Sequence, residues 1–169
     1  PHRLYVAIFR DGSTKVGTTR GAHGGQRLIE QGAWFACYVA LAKNGFEIRE
    51  LEDLLTDSIG LKQAVNSTRK VMGHMQPLED EILLSKLSEI QSASNDVLDE
   101  RWSDAVTQLN VSWSNPAAEL TTWTRTAKYP SPLYSGTHNF EIDSMIGRLA
   151  GMNMVGFPQT LIADLYSLF

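Results

Sequence analysis

Four polar side chains in the first part of the chain, those of Tyr5, Lys15, Arg27 and Glu52, belong to types that can carry protons, hold anions or bind a metal ion. Each also has an ordinary structural explanation. Tyr5 could be a core aromatic residue with its hydroxyl at the rim, Lys15 a solvent-facing lysine and Arg27 a surface residue of a helix. Taken singly, each is better explained by structure than by chemistry, and only as a set do they form a pattern.

Glu52 is the most informative of the four because of its neighbours in sequence. Ile48, Leu55 and Ile59 recur at helical spacing, and Glu52 falls into the same stripe. At about 100° per residue, its carboxylate points toward the core or toward a cleft at the edge of the core. A buried carboxylate needs a cation beside it, which Arg27, a metal ion or both could supply. A purely structural pairing with an arginine stays open as the alternative.

Residue type and spacing argue against several other kinds of site. The 4 histidines show no helical or hairpin pairing and the single cysteine, Cys37, has no partner, so we expect neither a zinc site nor an internal disulfide. Cys37 stands within an apolar run and is expected to be buried and inert. The glycine-rich loop at 21–25 lacks the ending of a P-loop, and no Gly-x-Ser-x-Gly elbow is present.

The four candidate residues would be positioned by alternating strands and helices. The predicted order is strand, strand, short helix, strand and helix, over residues 4–9, 14–19, 26–31, 34–42 and 44–59. Asp11-Gly12-Ser13 favours a hairpin turn between the first two strands. Asn44 is a good cap for the last helix, with Glu47 at the capping-box position.

Beyond residue 60 the pattern is less regular. Helices are predicted over 61–70, from Pro77 to a break at Ser94-Asn95-Asp96, and from there through Leu109. Short strands are predicted over 111–113, 120–126, 140–142 and 161–166. Glycines such as Gly151 are interpreted as turns between these strands.

Together these elements predict an α/β (α+β) fold. A small mixed sheet with flanking helices would be followed by a helical and β-rich C-terminal extension. The expected segments are a first domain over 1–72, a helical segment over 73–110 and a β-rich segment over 111–169.

Composition and charge are those of an ordinary globular protein. The chain has 169 residues, of which 43% are apolar and 20% charged, enough to bury a sizeable core. The longest apolar run, at 34–42, is too short for a membrane crossing of about 20 residues, and no secretory leader is visible. We expect no membrane partner, a cytoplasmic location and further residues upstream of Pro1. Within a net charge of −4, the part up to Lys70 is mildly basic, which permits a polyanion site there without demanding one.

The order of the first five elements, with the residues that they carry, resembles the GIY-YIG nuclease superfamily. Arg3-Leu4-Tyr5 stands at the first signature and keeps its tyrosine, whereas Lys15-Val16-Gly17 stands at the second with lysine in place of tyrosine. Arg27 matches the helix arginine and Glu52 matches the metal-binding glutamate. The likeness covers about residues 3–70. It is greatest to a divergent Lys-Val-Gly branch of bacterial proteins with a Cys-rich N-terminal segment that is absent here.

The resemblance implies phosphodiester hydrolysis with one divalent ion, Mg²⁺ or Mn²⁺, bound at Glu52. Tyr5 would help to activate the attacking water, Arg27 would hold phosphate charge, and Lys15 would neutralise a phosphate. The further residues expected to bind nucleic acid are Thr18, Thr19, Arg20, His23, Gln31 and Lys62. The expected partner is nucleic acid, with DNA preferred to RNA, and the expected activity is that of an endonuclease.

Two other functions stay open. A module of the same fold could bind nucleic acid without cleaving it, because a charged lysine at position 15 cannot act as a tyrosine hydroxyl at neutral pH. A small-molecule enzyme could use the same cleft, with Arg27 and Lys15 as anchors for an anionic substrate. The oligomeric state is not predicted.

Overall fold

The described residues form two four-stranded sheets and four α-helices. A computed structural model describes residues 1–21, 24–119, 123, 125–130 and 133–168. The first sheet contains β1 (His2–Ile8), β2 (Thr14–Arg20), β3 (Phe35–Ala42) and β4 (Val106–Ser114), and the second contains β5 (Ala127–Lys128), β6 (Glu141–Ile146), β7 (Leu149–Asn153) and β8 (Leu161–Asp164). The helices are α1 (Gly24–Gln31), α2 (Gly45–Ile59), α3 (Ser67–Met75) and α4 (Asp80–Leu98). This is the α+β class that the sequence predicted.

The predicted hairpin opens the first sheet. β1 and β2 pair antiparallel, with Tyr5 directly opposite Gly17. In the turn, Asp11 Oδ1 accepts a hydrogen bond of 3.0 Å from the Ser13 backbone N–H. Gly12 has a φ of 75°, a conformation that glycine adopts at little cost. The residues of the turn and the alternating apolar residues of the two strands therefore both favour the hairpin.

The strand order of the first sheet is β2-β1-β3-β4, and every neighbouring pair is antiparallel. β3 lies in the interior of the sheet, as its apolar sequence predicted. α2 follows it directly, and Asn44 Oδ1 accepts hydrogen bonds from the backbone N–H groups of Phe46 and Glu47. The predicted cap of α2 is confirmed, and β2 remains as one edge of the sheet.

Alternate residues of β1 build two cores on opposite faces of the first sheet. Leu4, Val6 and Ile8 pack with apolar residues of α2 and α4. Tyr5, Ala7 and Phe9 belong to a second cluster that includes Leu28 of α1. The period of two along β1 thus separates a face covered by two helices from one covered by the short helix α1.

The second sheet has the order β5-β8-β7-β6, and its β5–β8 pair is parallel. Its core is formed by residues that include Tyr129, Met152 and Leu161. α3 joins the two sheets, because Val71 packs against Ile162 and its neighbour Lys70 donates a hydrogen bond to Gln31 of α1. We call the first sheet with its helices the first lobe, and the second sheet with its core the second lobe. The second lobe therefore packs beside the first lobe through α3.

The predicted helix through Leu109 is wrong. Residues from Val106 form β4, which pairs along the free edge of β3 and satisfies backbone groups that β3 would otherwise expose. β4 also crosses the boundary expected at 110/111 and places part of the expected C-terminal segment in the first sheet. A helical spacing of apolar residues is overridden here by strand pairing.

The predicted break at Ser94-Asn95-Asp96 is also wrong, because α4 continues to Leu98. Ser94 is fully buried and its hydroxyl donates a hydrogen bond of 2.7 Å to the Ile90 carbonyl. Satisfied within its own helix, Ser94 does not interrupt it.

The helix predicted over 61–70 is displaced toward the C-terminus. Asn66 Oδ1 caps the Arg69 backbone N–H at 2.9 Å, so α3 starts at Ser67 and continues to Met75. The preceding residues extend the sheet edge, since the Lys62 carbonyl accepts a hydrogen bond from the Val16 backbone N–H.

The C-terminal strands are partly as predicted. β6 and β8 lie at the runs over 140–142 and 161–166, whereas most of the strand predicted over 120–126 falls outside the described residues. Gly151 lies within the strand β7 and not in a turn. Glycine is needed at this position because the Trp123 indole occupies the place where a Cβ would stand. Among the described residues, no helix is both long and apolar enough for a membrane crossing.

Candidate functional site

Tyr5 forms the floor of the candidate site. The residue is 1% exposed, and its hydroxyl donates a hydrogen bond of 3.1 Å to Gln31 Oε1 at the end of α1. A Cβ at Gly17 would overlap this hydroxyl, so glycine is required on the opposite strand for the ring to lie flat across the sheet. Burial raises the pKa of Tyr5, against smaller lowering effects of Gln31 and Arg27. Tyr5 therefore keeps its proton at neutral pH.

Lys15 lies on the same face of β2 as Gly17, two residues earlier. It is 9% exposed, and its Nζ is 6.0 Å from the centre of the Tyr5 ring. No carboxylate within the described ranges forms an ion pair with it. Burial lowers the pKa of Lys15 and the charge of Arg27 lowers it further, whereas Glu52 raises it. Lys15 is a buried cation without a close anionic partner.

Glu52 is buried on α2, as its place in the apolar stripe predicted. The residue is 5% exposed, and its Oε2 lies 3.4 Å from Nη1 of Arg49. Burial raises the pKa of the carboxyl group, while Arg49 and then Lys15 lower it. Arg49, three residues earlier on α2, is the arginine close enough to pair with Glu52, and the described residues show no ion pair between Glu52 and Arg27.

Arg27 lies on the exposed side of α1, close enough to influence both Tyr5 and Lys15. Its charge lowers the pKa of each of these groups. The described part of the chain offers Arg27 no ion-pair partner. Together with Glu52, these residues from β1, β2, α1 and α2 surround the β2 edge of the first sheet.

An open cleft of about 480 Å³ adjoins this cluster, between α1 and α2 along β2. It is lined by His2, Thr18, Thr19, Arg20, Arg27, Gly45, Ile48 and Arg49. Three of these side chains are arginines and none is a carboxylate, so the cleft favours anions. Thr18, Thr19 and Arg20, predicted to bind nucleic acid, lie in this lining.

The other predicted contact residues are placed differently. Gln31 lies at the Tyr5 hydroxyl rather than in the cleft lining. Lys62 lines a separate groove beside the hairpin turn, with residues such as Gly12 and Lys86. His23 lies outside the described residues.

Two residues at the site were missed from sequence. Arg49 could have been found from its i,i+3 spacing to Glu52. Lys70 carried no local signal, yet its Nζ donates a hydrogen bond of 2.6 Å to the Gln31 carbonyl. Burial, followed by the charges of Arg148 and Lys15, lowers the pKa of Lys70 to about 8.

A metal ion could be held only by Glu52 in this cluster. No group of three potential metal ligands among histidine, cysteine, aspartate and glutamate occurs in the described ranges. Mg²⁺ is nevertheless often bound by one or two carboxylates together with water and substrate phosphate oxygens. The donor set therefore fits a single ion that completes its coordination with substrate.

The fold and cleft define a class of α+β protein with an arginine-lined cleft at an edge strand. A family model described as "Protein of unknown function (DUF2797)" matches residues 1–135, and the chain belongs to this family. No curated protein and no solved structure matches the chain.

The family match corrects the GIY-YIG assignment, since no GIY-YIG family model matches the chain. The resemblance rested on a few short motifs spread over about 70 residues, and motifs of that length recur outside the families that they suggest. The structure alone therefore supports a shared site for Tyr5, Lys15, Arg27 and Glu52.

Proposed function

We propose that this protein binds nucleic acid, with DNA preferred, in the arginine-lined cleft and hydrolyses a phosphodiester bond beside Lys15, with one Mg²⁺ or Mn²⁺ at Glu52. The observation that carries the proposal is the unpaired, buried ammonium of Lys15 next to Arg27. A buried charge without a partner is costly, and an anionic ligand would remove that cost.

The shape and charge of the cleft support a polymer rather than a small anion. Arg20, Arg27 and Arg49 lie along an open cleft, and none of the described residues that line it is a carboxylate. Several spaced cations match the repeating phosphates of a nucleic-acid strand, and each neutralised phosphate adds affinity through counter-ion release. A small-molecule site would normally be more enclosed and more apolar.

Each residue of the cluster has a role consistent with its environment. Arg27 can hold two phosphate oxygens at once, and Lys15 can neutralise the charge that develops on the phosphate. Tyr5 keeps its proton and donates a hydrogen bond to Gln31, so Tyr5 would hold the end of α1 in place beside the cleft rather than act as a base. A divalent ion at Glu52, when bound, would supply Lewis-acid stabilisation of the phosphate and the leaving oxygen.

A binding module without cleavage is the second candidate. Glu52 is already close to Arg49, and within the described ranges it belongs to no group of three potential metal ligands. That arrangement supports binding of a phosphate without requiring hydrolysis.

Incubation of the purified protein with supercoiled plasmid in Mg²⁺, Mn²⁺ or EDTA tests the proposal. Metal-dependent nicking is the expected result, together with an affinity for long duplex DNA that falls steeply with salt. Salt-steep binding without nicking would assign the binding module. Binding that is absent or insensitive to salt would contradict a nucleic-acid partner and favour an enzyme for small anionic substrates.

A further inference from the structure

A second polar cluster lies on the same sheet face, beyond Tyr5 from Lys15. We infer that the first turn of α1, with Tyr38 and Trp113, forms a second phosphate-binding subsite. The inference rests on the proposed function, because the subsite would take a phosphate further along the strand that occupies the cleft.

The hydroxyl group of Tyr38 is the feature that points to a ligand. The residue lies on β3 and is only 6% exposed. Its hydroxyl oxygen is 2.6 Å from the place where a Cβ on Gly24, the first residue of α1, would stand. Nevertheless, the hydroxyl makes no hydrogen bond with any residue that the structure describes. A phenol that lies beside the first residue of α1, with no hydrogen-bond partner within the described ranges, is a donor available to an anion.

Trp113 brings a second donor to the same turn. Its Nε1 lies 3.3 Å from the place of a Cβ on Gly25, so the indole edge and the hydroxyl of Tyr38 approach consecutive glycines. A Cβ at position 24 would force the Tyr38 hydroxyl to move, and a Cβ at position 25 would crowd the indole. The indole N–H, like the phenol, has no hydrogen-bond partner within the described ranges.

The charge of the first turn favours an anion. The first backbone N–H groups of a helix have no partners within the helix, and they carry the positive end of its dipole. Acidic residues usually offset that charge, but the first turn of α1 has none and contains Arg27 instead. Arg3 adds a further cation, since its guanidinium lies 5.6 Å from the centre of the Tyr38 ring.

The subsite is continuous with the cleft. Tyr38 packs edge-on against Tyr5, with 6.4 Å between the ring centres. Arg27 belongs to the first turn of α1 and also lines the cleft. A strand whose reacting phosphate lies at Lys15 could therefore place a second phosphate at Gly24 and Gly25.

Nuclear magnetic resonance on the full chain tests the subsite independently of catalysis. Inorganic phosphate and then a short oligodeoxynucleotide are titrated, while the Gly24 and Gly25 amides and the Trp113 indole N–H are followed. We expect all three signals to shift. Tyr38→Phe removes only the hydroxyl and should weaken phosphate binding about tenfold, as expected for one lost hydrogen bond to a charged group. Tyr134→Phe, at an exposed tyrosine of the second lobe, is the matched control.

The outcomes separate the subsite from the proposed function. Shifts with phosphate that Tyr38→Phe weakens support the subsite, and the same shifts with the oligonucleotide place it on the strand. The subsite is overturned and the proposed function stands if DNA binds without shifting the three signals. The same holds if Tyr38→Phe and Tyr134→Phe bind phosphate with equal affinity. If phosphate shifts the signals but DNA does not bind at any salt concentration, the proposed function fails and only an anion site remains.

Discussion

Lys70 Nζ donates a hydrogen bond of 2.6 Å to the backbone carbonyl of Gln31, the last residue of α1. The side chain of the same Gln31 accepts a hydrogen bond from Tyr5. Lys70 belongs to α3, which packs on the second sheet, so this contact links the second lobe to the floor of the candidate site. A cation at the C-terminus of a helix is also favoured by the helix dipole.

The charge of Lys70 should make stability depend on pH. Burial lowers its pKa to about 8 in the folded protein, from an ordinary value of 10.5. Between these values the unfolded chain binds more protons, so the free energy of unfolding should rise with pH by up to about 3 kcal/mol. Urea unfolding of wild type and Lys70→Met at pH 7, 8, 9 and 10 isolates the effect. Parallel pH profiles of the two proteins would disprove it.

His74 should produce a pH dependence of the same sign at acid pH. It is 9% exposed, lies between Trp34 and Trp123, and burial lowers its pKa to about 4 from 6.5. The unfolded chain binds the proton first as pH falls from 6.5 to 4, so this residue should remove up to about 3 kcal/mol of stability there. His74→Phe should lose less stability than wild type over that range, measured by urea unfolding at pH 7, 6, 5 and 4.5.

Replacement of Lys15 should change binding and stability in opposite directions. Lys15→Ala removes a cation that would face phosphate, so affinity for DNA should fall and the slope of log affinity against log salt should flatten by about one unit. Loss of a buried, unpaired ammonium should also stabilise the fold by on the order of 1–2 kcal/mol. Lys128→Ala, at an exposed lysine of β5 in the second sheet, is the control for binding. Equal salt slopes for the two variants would show that Lys15 contacts no phosphate.

Replacement of Glu52 separates catalysis from structure. Glu52→Gln keeps the shape of the side chain but removes the charge that would hold Mg²⁺, so nicking should fall by orders of magnitude. Stability should change by less than about 1 kcal/mol, because Arg49 is 69% exposed and returns to water when its partner is lost. Glu50→Gln, on the exposed side of α2, is the control.

Melting curves with and without Mg²⁺ complete the Glu52 test. Mg²⁺ should raise the melting temperature of wild type and of Glu50→Gln but not that of Glu52→Gln. A large loss of stability in Glu52→Gln without metal, with no nicking by wild type, would leave Glu52 as a structural residue.

The elements that were predictable have local signals. Asp11 and Gly12 favour a turn through their own conformational preferences, and Asn44 caps α2 with hydrogen bonds to residues two and three positions later. The apolar run of β3 indicated a buried strand for the same local reason. β4 was not predictable, because its conformation comes from pairing with β3, more than sixty residues away in sequence.

In the candidate site, too, some features follow from local sequence and others only from tertiary packing. Lys15 and Gly17 share a face of β2 because strands have a period of two, and Glu52 is buried because α2 has a period of 3.6. Such periods give the face of an element on which a side chain lies, but not the neighbour that it meets. Three contacts depend on how helices and strands are placed against each other. They are the pairing of Glu52 with Arg49 rather than Arg27, the hydrogen bond from Lys70 to Gln31, and the approach of Tyr38 to Gly24. That placement is settled by packing between distant segments, which no spacing within one segment encodes.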